Sequence, residues 1–228
     1  MVFGLIRKKP EKQSRLALLL RDYPAAIPPH LGETTRTLIG AGPRLTPEQA
    51  LENFNWHNAV RSERLAILAG LMAHIGLDQK DVFDAARRQS VLQARDQWLG
   101  QELPLIGSDA TRDRRAWEEE RPDGDYIIFS LLRDFAMLDE EIMLRAVPGA
   151  MMVLDTDKYD ADMAHYMRPC IGGLVDRLYP DNRLIQDFAG SWFDFYQENS
   201  VPRLYEPAPR ELPGGYLAEL MDRYVAAG

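Results

Sequence analysis

Cysteine is nearly absent from this chain, Cys170 being the only one in 228 residues. No disulfide can close within the chain and no thiolate cluster can hold a metal, which points to a reducing compartment. A lone thiol of this kind is expected to pack as a small apolar residue. Long hydrophobic runs are also missing. A membrane-spanning helix needs roughly 18 or more uncharged apolar residues, and the best stretch, 65–75, is short and carries His74. Residues 1–6 are too few for a secretory core, and basic residues follow them rather than precede them, so a cytoplasmic location is expected. There is no glycine-rich phosphate loop, internal repeat or low-complexity tract. Ser130 and Ser191 lack the glycine-flanked setting of a nucleophile elbow, and the four histidines, His30, His57, His74 and His165, share no recognisable metal spacing.

Charge is what the chain does have, unevenly. The formal net charge is −8. Residues 1–21 carry Arg7, Lys8, Lys9, Lys12, Arg15 and Arg21 against Glu11 alone, whereas 118–162 concentrates acids opposed only by Arg121, Arg133, Arg145 and Lys158. Such a field repels phosphates, so no nucleic-acid partner is expected, and it favours a basic protein partner or cations. The apolar-then-basic opening admits transient membrane contact through residues 1–15, though a terminus with a short docked helix around Leu16, Leu18, Leu19 and Leu20 is the plainer expectation.

The hydrophobic periodicity is helical. Thr46-Pro47-Glu48-Gln49 combines a threonine cap, a proline in the first turn and a glutamine three residues on, which is a helix start. One helix is expected over 47–54 and a second over 58–74, ended by Gly76, with Asp78 capping a third in an antiparallel hairpin. Residues 100–124 read as a polar connecting helix beginning near Ser108. Within 125–147, Ile128, Leu131, Phe135, Leu138, Ile142 and Ala146 line one face, while Arg133, Asp134, Glu140, Glu141 and Arg145 suggest a wet opposite face. Pro148 and Gly149 stop this helix. The stretch 150–154 is too short for periodicity to assign. Helices are then expected near 160–167, from a cap at Asp181 or Asn182 with Ile185, Phe188, Trp192 and Phe195 on one side, and through Leu217, Leu220, Met221 and Tyr224.

The fold class expected is all-α, an irregular multi-helix bundle with proline-rich connections, as a single helical domain over 1–228. A subdivision into 1–107 and 125–228 about the polar connecting helix is compatible with the same pattern. The run Asp155-Thr156-Asp157-Lys158-Tyr159-Asp160-Ala161-Asp162 fails an EF-hand at three required positions, yet Asp162 and His165 lie one helical turn apart. The function expected is that of a non-enzymatic cytosolic protein acting through protein–protein interaction, with its acidic central face toward a basic partner. The alternative is a helical metal-binding protein or enzyme centred on Asp157, Asp162 and His165. No cofactor is implied, and whether the chain catalyses anything is left open.

Overall fold

The computed structural model describes residues 14–30, 45–107, 124–154, 169–177, 183–192, 217, 220–221 and 223–226. They are predominantly helical, with one small antiparallel sheet, so the all-α expectation holds only in its coarser form. The helices are α1 (Arg15–Leu20), α2 (Pro47–His74), α3 (Arg88–Gly107) and α4 (Gly124–Ala146), with a 3-10 turn at Gln79–Phe83. The strands are β1 (Met151–Leu154), β2 (Pro169–Asp176), β3 (Arg183–Gln186) and β4 (Tyr224–Ala226).

Local chemistry sets the helix ends. Thr46 Oγ1 accepts from the Gln49 amide at 3.3 Å, and Gln49 returns the bond to the Thr46 amide at 2.9 Å, a complete capping box. Gly76, at φ +83°, closes α2: its amide reaches Ala73 O at 3.0 Å and that of Leu77 reaches Met72 O at 3.0 Å. That pair of bonds is the Schellman arrangement, which needs a left-handed residue and so favours glycine. Between these ends α2 runs unbroken, not as the two helices expected over 47–54 and 58–74. Nothing at 55–57 interrupts it, because His57 is a buried member of its inner face. Asp78 caps only the short 3-10 turn, accepting from the Lys80 amide at 2.9 Å. The expected hairpin partner of α2 is therefore displaced, and α2 packs chiefly on α4.

After α4, Ala150 N donates to Val147 O at 3.1 Å, with Pro148 and positive-φ Gly149 (+82°) between them. Proline first and glycine second is the preference of a type II turn. It delivers the chain directly into β1. β2 is the centre of the sheet: β3 lies along one edge, while β1 and then β4 share the other. Gly172 and Gly173 form a bulge in β2, where one extra residue faces β3. Ile171 and Leu174 on either side of it are fully buried against the helices. Ile185 and Tyr224, expected on helices, are strand residues instead. The nearby helix begins only after Asp187, whose Oδ1 accepts from the Gly190 amide at 2.8 Å. Phe188 and Trp192 of that helix enter the core as expected. Strand pairing joins distant segments, and helical periodicity in one segment cannot report it.

Leu16 and Leu20 of α1 are fully buried, as expected of a docked terminal helix. Its start is held by Glu102 of α3, whose Oε2 accepts from Ser14 Oγ at 2.9 Å and from the amides of Arg15 at 2.7 Å and Leu16 at 3.2 Å. A carboxylate there satisfies unpaired amides and complements the helix dipole. The expected connecting helix from Ser108, the expected helix near 160–167 and residues 1–13 lie outside the described residues.

A Cβ on Gly173 (φ +72°) would sit 2.2 Å from the Gly149 carbonyl oxygen, whereas one on Gly76 meets nothing within 4 Å. Gly76→Ala should therefore lose about 1–2 kcal/mol, the strain of a left-handed residue alone, and Gly173→Ala markedly more. Urea unfolding of the two variants checks this, and equal losses would refute the assignment of a close approach at Gly173.

Candidate functional site

The chemistry of the described residues is concentrated around α4. Every residue from 127 to 140 is buried, so this helix is enclosed on all sides. The expected wet face is corrected accordingly. Arg133, Asp134, Asp139 and Glu140 are interior, with relative exposures of 8%, 1%, 1% and 0%. Glu141 and Arg145 alone of the expected polar set sit toward the surface, and they do pair across one turn at 2.8 Å. Interior charge is tolerated only when it is partnered, and most of these groups are.

On one side, Asp134 takes a two-pronged bond from Arg64 of α2, Nε to Oδ1 at 3.0 Å and Nη2 to Oδ2 at 2.6 Å. Tyr23, in the segment after α1, donates its hydroxyl to the same carboxylate. Arg64 also donates to the Pro24 carbonyl at 2.9 Å and packs over the Tyr23 ring. Burial raises the Asp134 carboxyl, Arg64 and Tyr23 pull it back, and burial beside Asp134 holds the Tyr23 phenol well above its ordinary range. Ser130, one turn before Asp134, accepts from the Ala26 amide at 2.8 Å and ties the same segment to α4.

A second group joins the C-terminal half of α4 to the first half of α2. Glu140 Oε2 accepts from Arg61 Nη2 at 2.6 Å and from His57 Nε2 at 2.9 Å. Arg133 Nη2 donates to His57 Nδ1 at 3.1 Å. A guanidinium can only donate, so Arg133 places the lone pair on Nδ1 and Nε2 gives its proton to Glu140. Arg61 Nη2, 3.3 Å from Nε2, spends its donor on Glu140 at 2.6 Å instead of on the ring. His57 is a neutral imidazole relaying between a guanidinium and a carboxylate. Burial pushes its pKa down, with Arg133 and Arg61 adding to that and Glu140 opposing it. Glu140 would be raised by burial, but His57 and Arg61 outweigh this and hold it below its ordinary value.

The third group faces α3. Arg95 donates from Nε to Asp96 at 2.8 Å and from Nη1 to Asp139 at 2.7 Å, and Trp192 Nε1 donates to the other oxygen of Asp139 at 2.9 Å. The Arg95 guanidinium lies over Trp192 at 4.7 Å and Phe135 at 5.5 Å, while these two rings stack at 5.0 Å. Burial, with the Asp96 charge adding to it, lifts the Asp139 carboxyl to about 6 despite Arg95.

These arrangements hold helices together; they do not assemble a nucleophile. Among the described residues no hydroxyl or thiol hydrogen-bonds to His57, and no group of three or more His, Cys, Asp and Glu could hold a metal. Asp157, Asp162 and His165, the expected metal site, lie outside the described residues. Cys170 is a buried residue of β2. His74 is on the surface with Nδ1 2.7 Å from Gly70 O, and His30 is half-buried against Glu52 at 2.5 Å. Sequence reasoning missed the interior charges. One signal was present: His57, Arg61, Arg64, Leu68 and Leu71 recur at spacings of four and three, placing three basic residues in line with two core leucines. No protein-family model, curated protein or solved structure matches the chain.

Two outcomes follow. Arg64→Met strands the buried Asp134 carboxylate and should cost about 3–5 kcal/mol, while Arg64→Met with Asp134→Leu should recover most of it. Denaturant titration of the pair measures the difference, and a double variant no better than the single would remove the ion pair from the account. The pH dependence has two opposing parts. His57, depressed in the fold, contributes stability that is present above its unfolded value of about 6.5 and lost as pH falls below it. Asp139, raised to about 6, binds its proton more tightly folded than unfolded, so acidification from about 6 toward 4 adds stability. Asp139→Asn should steepen the loss of melting temperature between pH 7 and 5, and His57→Gln should flatten it. The reverse order of slopes would overturn this reading.

Proposed function

We propose that the protein is a non-enzymatic helical protein that works through protein–protein contact, turning acidic segments toward a basic partner in the cytoplasm. The observation that carries this is where the sequence's negative charge lies relative to the ion pairs of the described residues. Asp134, Asp139 and Glu140 are spent on internal pairs and cannot form a docking face. The excess that α4 does not absorb lies immediately before and after it. Glu118, Glu119, Glu120 and Asp123 precede the helix, Asp125 lies in its first turn, and Asp155, Asp157, Asp160 and Asp162 follow it, opposed only by Arg121 and Lys158. The acidic central face of the sequence reading thus becomes two flanking acidic segments. Charge of this density favours encounter with a basic surface and disfavours nucleic acid. Among the described residues no helix is long and apolar enough to cross a membrane.

A lysine-rich peptide serves as the probe. Its binding to the full chain should weaken steeply as salt rises from about 50 to 300 mM, because the screening length falls from about 14 Å to about 6 Å over that range. Glu119→Gln with Glu120→Gln should weaken it several-fold, while Glu52→Gln with Glu63→Gln, an equal change of charge elsewhere, should leave it unchanged. Salt-insensitive binding, or equal effects of the two double variants, would overturn the proposal. The alternative centred on Asp157, Asp162 and His165 rests on the one-turn spacing of the last two. It is separated by adding magnesium, calcium, manganese or zinc: a rise in melting temperature that Asp162→Ala abolishes would favour it.

A further inference from the structure

We propose that Arg133 is the receptor for a small oxyanion, a carboxylate or phosphate group carried by a small molecule, at the seam between α2 and α4. The basis is an imbalance among the interior arginines. Arg61, Arg64 and Arg95 each hold a carboxylate at 2.6–2.7 Å. Among the described residues Arg133 holds none. Its one hydrogen bond to them, to a neutral imidazole nitrogen at 3.1 Å, uses one of the five N–H donors of a guanidinium, in a residue only 8% exposed.

Three of the four oxygens of the two nearest carboxylates are already committed. Asp134 is taken by both prongs of Arg64 and by Tyr23, and Glu140 Oε2 by Arg61 and His57. The seam therefore gathers Arg61, Arg64 and Arg133 with Asp134 and Glu140, and Glu141 stands at its edge 4.0 Å from Arg61. Among the described residues Arg133 is the one of the three guanidinium groups that pairs with no carboxylate. An interior cation with no carboxylate in direct contact is disfavoured, and burial lowers the Arg133 pKa to about 10 although the charges of Asp134 and Glu140 oppose it. An external anion supplies the missing partner.

The aromatic neighbours give the site its shape. The Arg133 guanidinium lies 4.5 Å from the Trp56 ring centroid and 5.5 Å from that of Phe129. Rings packed on a guanidinium occupy its faces and leave the in-plane N–H edge for hydrogen bonding, the edge that matches the two oxygens of a carboxylate or phosphate. Trp56 is half-buried and Arg133 itself is 8% exposed, a limited access that suits a compact oxyanion. The other two uncommitted interior atoms, Arg95 Nη2 and Glu140 Oε1, belong to residues at 0% exposure and offer no such approach. This inference is independent of the acidic segments proposed to meet a basic protein.

Thermal unfolding of the full chain tests it, with chloride replaced at constant ionic strength by inorganic phosphate in one arm and acetate in the other. A saturable rise of a few degrees in the low millimolar range is expected in at least one arm, lost in Arg133→Met and kept in Arg145→Gln. A response to phosphate alone or acetate alone identifies which oxyanion the site accepts. Identical melting in chloride, phosphate and acetate would overturn the proposal, as would a rise that survives in Arg133→Met. Should Arg133→Met not fold, Arg133→Lys keeps the charge but lacks the planar fork. Calorimetric titration with the responding anion should then show affinity at least tenfold weaker, and unchanged affinity would be equally decisive against the site.

Discussion

Three carboxylates, Asp134, Asp139 and Glu140, sit on a stretch of helix, 127–140, that the rest of the fold encloses, and each must find a cation. Removing such an ion from water costs several kcal/mol, which only close and well-directed partners offset. At 100° per residue the three side chains leave α4 on different sides. They cannot share one neighbour, so each specifies another: Arg64 with Tyr23, Arg95 with Trp192, and Arg61 with His57. The apolar residues between them supply the bulk of the burial, but an apolar surface tolerates sliding. A slip of one residue along α4 would set carboxylates against leucine and strand arginines opposite nothing. The charges thus define register where the hydrophobic contacts supply adhesion.

The same pairs fix direction. His57 meets Glu140 and Arg64 meets Asp134, so α2 ascends as α4 descends and the two helices are antiparallel. The α2 side sets Arg61, Arg64 and Arg133 against Asp134, Glu140 and, 4.0 Å from Arg61, Glu141, and the α3 side sets Arg95 against Asp96 and Asp139. Two opposite shifts arise across α4. Arg133 becomes easier to deprotonate on the α2 side, and Asp139 becomes harder to deprotonate on the α3 side. In both cases burial is the larger cause and the neighbouring charges fail to cancel it.

Local features were legible in the sequence because their causes are local. The Thr46–Gln49 capping box, the stop at Gly76, the Pro148-Gly149 turn and the docking of Leu16 and Leu20 each depend on residues a few positions apart. The sheet was not legible, since β2 draws its three partners from segments up to about fifty residues away, and nothing within 183–186 records that a strand waits at 171–175. The interior charges were misread for a different reason. Periodicity sorts residues by type, and an aspartate scores the same facing water as facing Arg64. Only by laying the stripe His57-Arg61-Arg64-Leu68-Leu71 beside Asp134 and Glu140 does the complementarity become visible, and that pairing presupposes the contact. Asp157, Asp162 and His165 were singled out by spacing alone and fall outside the described residues.

Perturbed ionisable groups are often taken as the mark of a functional centre, yet interior ion pairs perturb one another equally. Around α4 the more discriminating property is hydrogen-bonding capacity that the protein leaves unspent where solvent can still reach. Asp134 fails that criterion, since Arg64 and Tyr23 occupy it. Asp139 fails it because Arg95 and Trp192 take both oxygens. His57 fails it because its two nitrogens already answer Arg133 and Glu140. Arg133 alone of the interior charges pairs an open edge with no carboxylate of its own, between rings that would hold it ready. A network whose other charged members each hold an opposite charge can keep such a group in place without collapsing onto it. Stability and receptivity are then two consequences of one charge distribution.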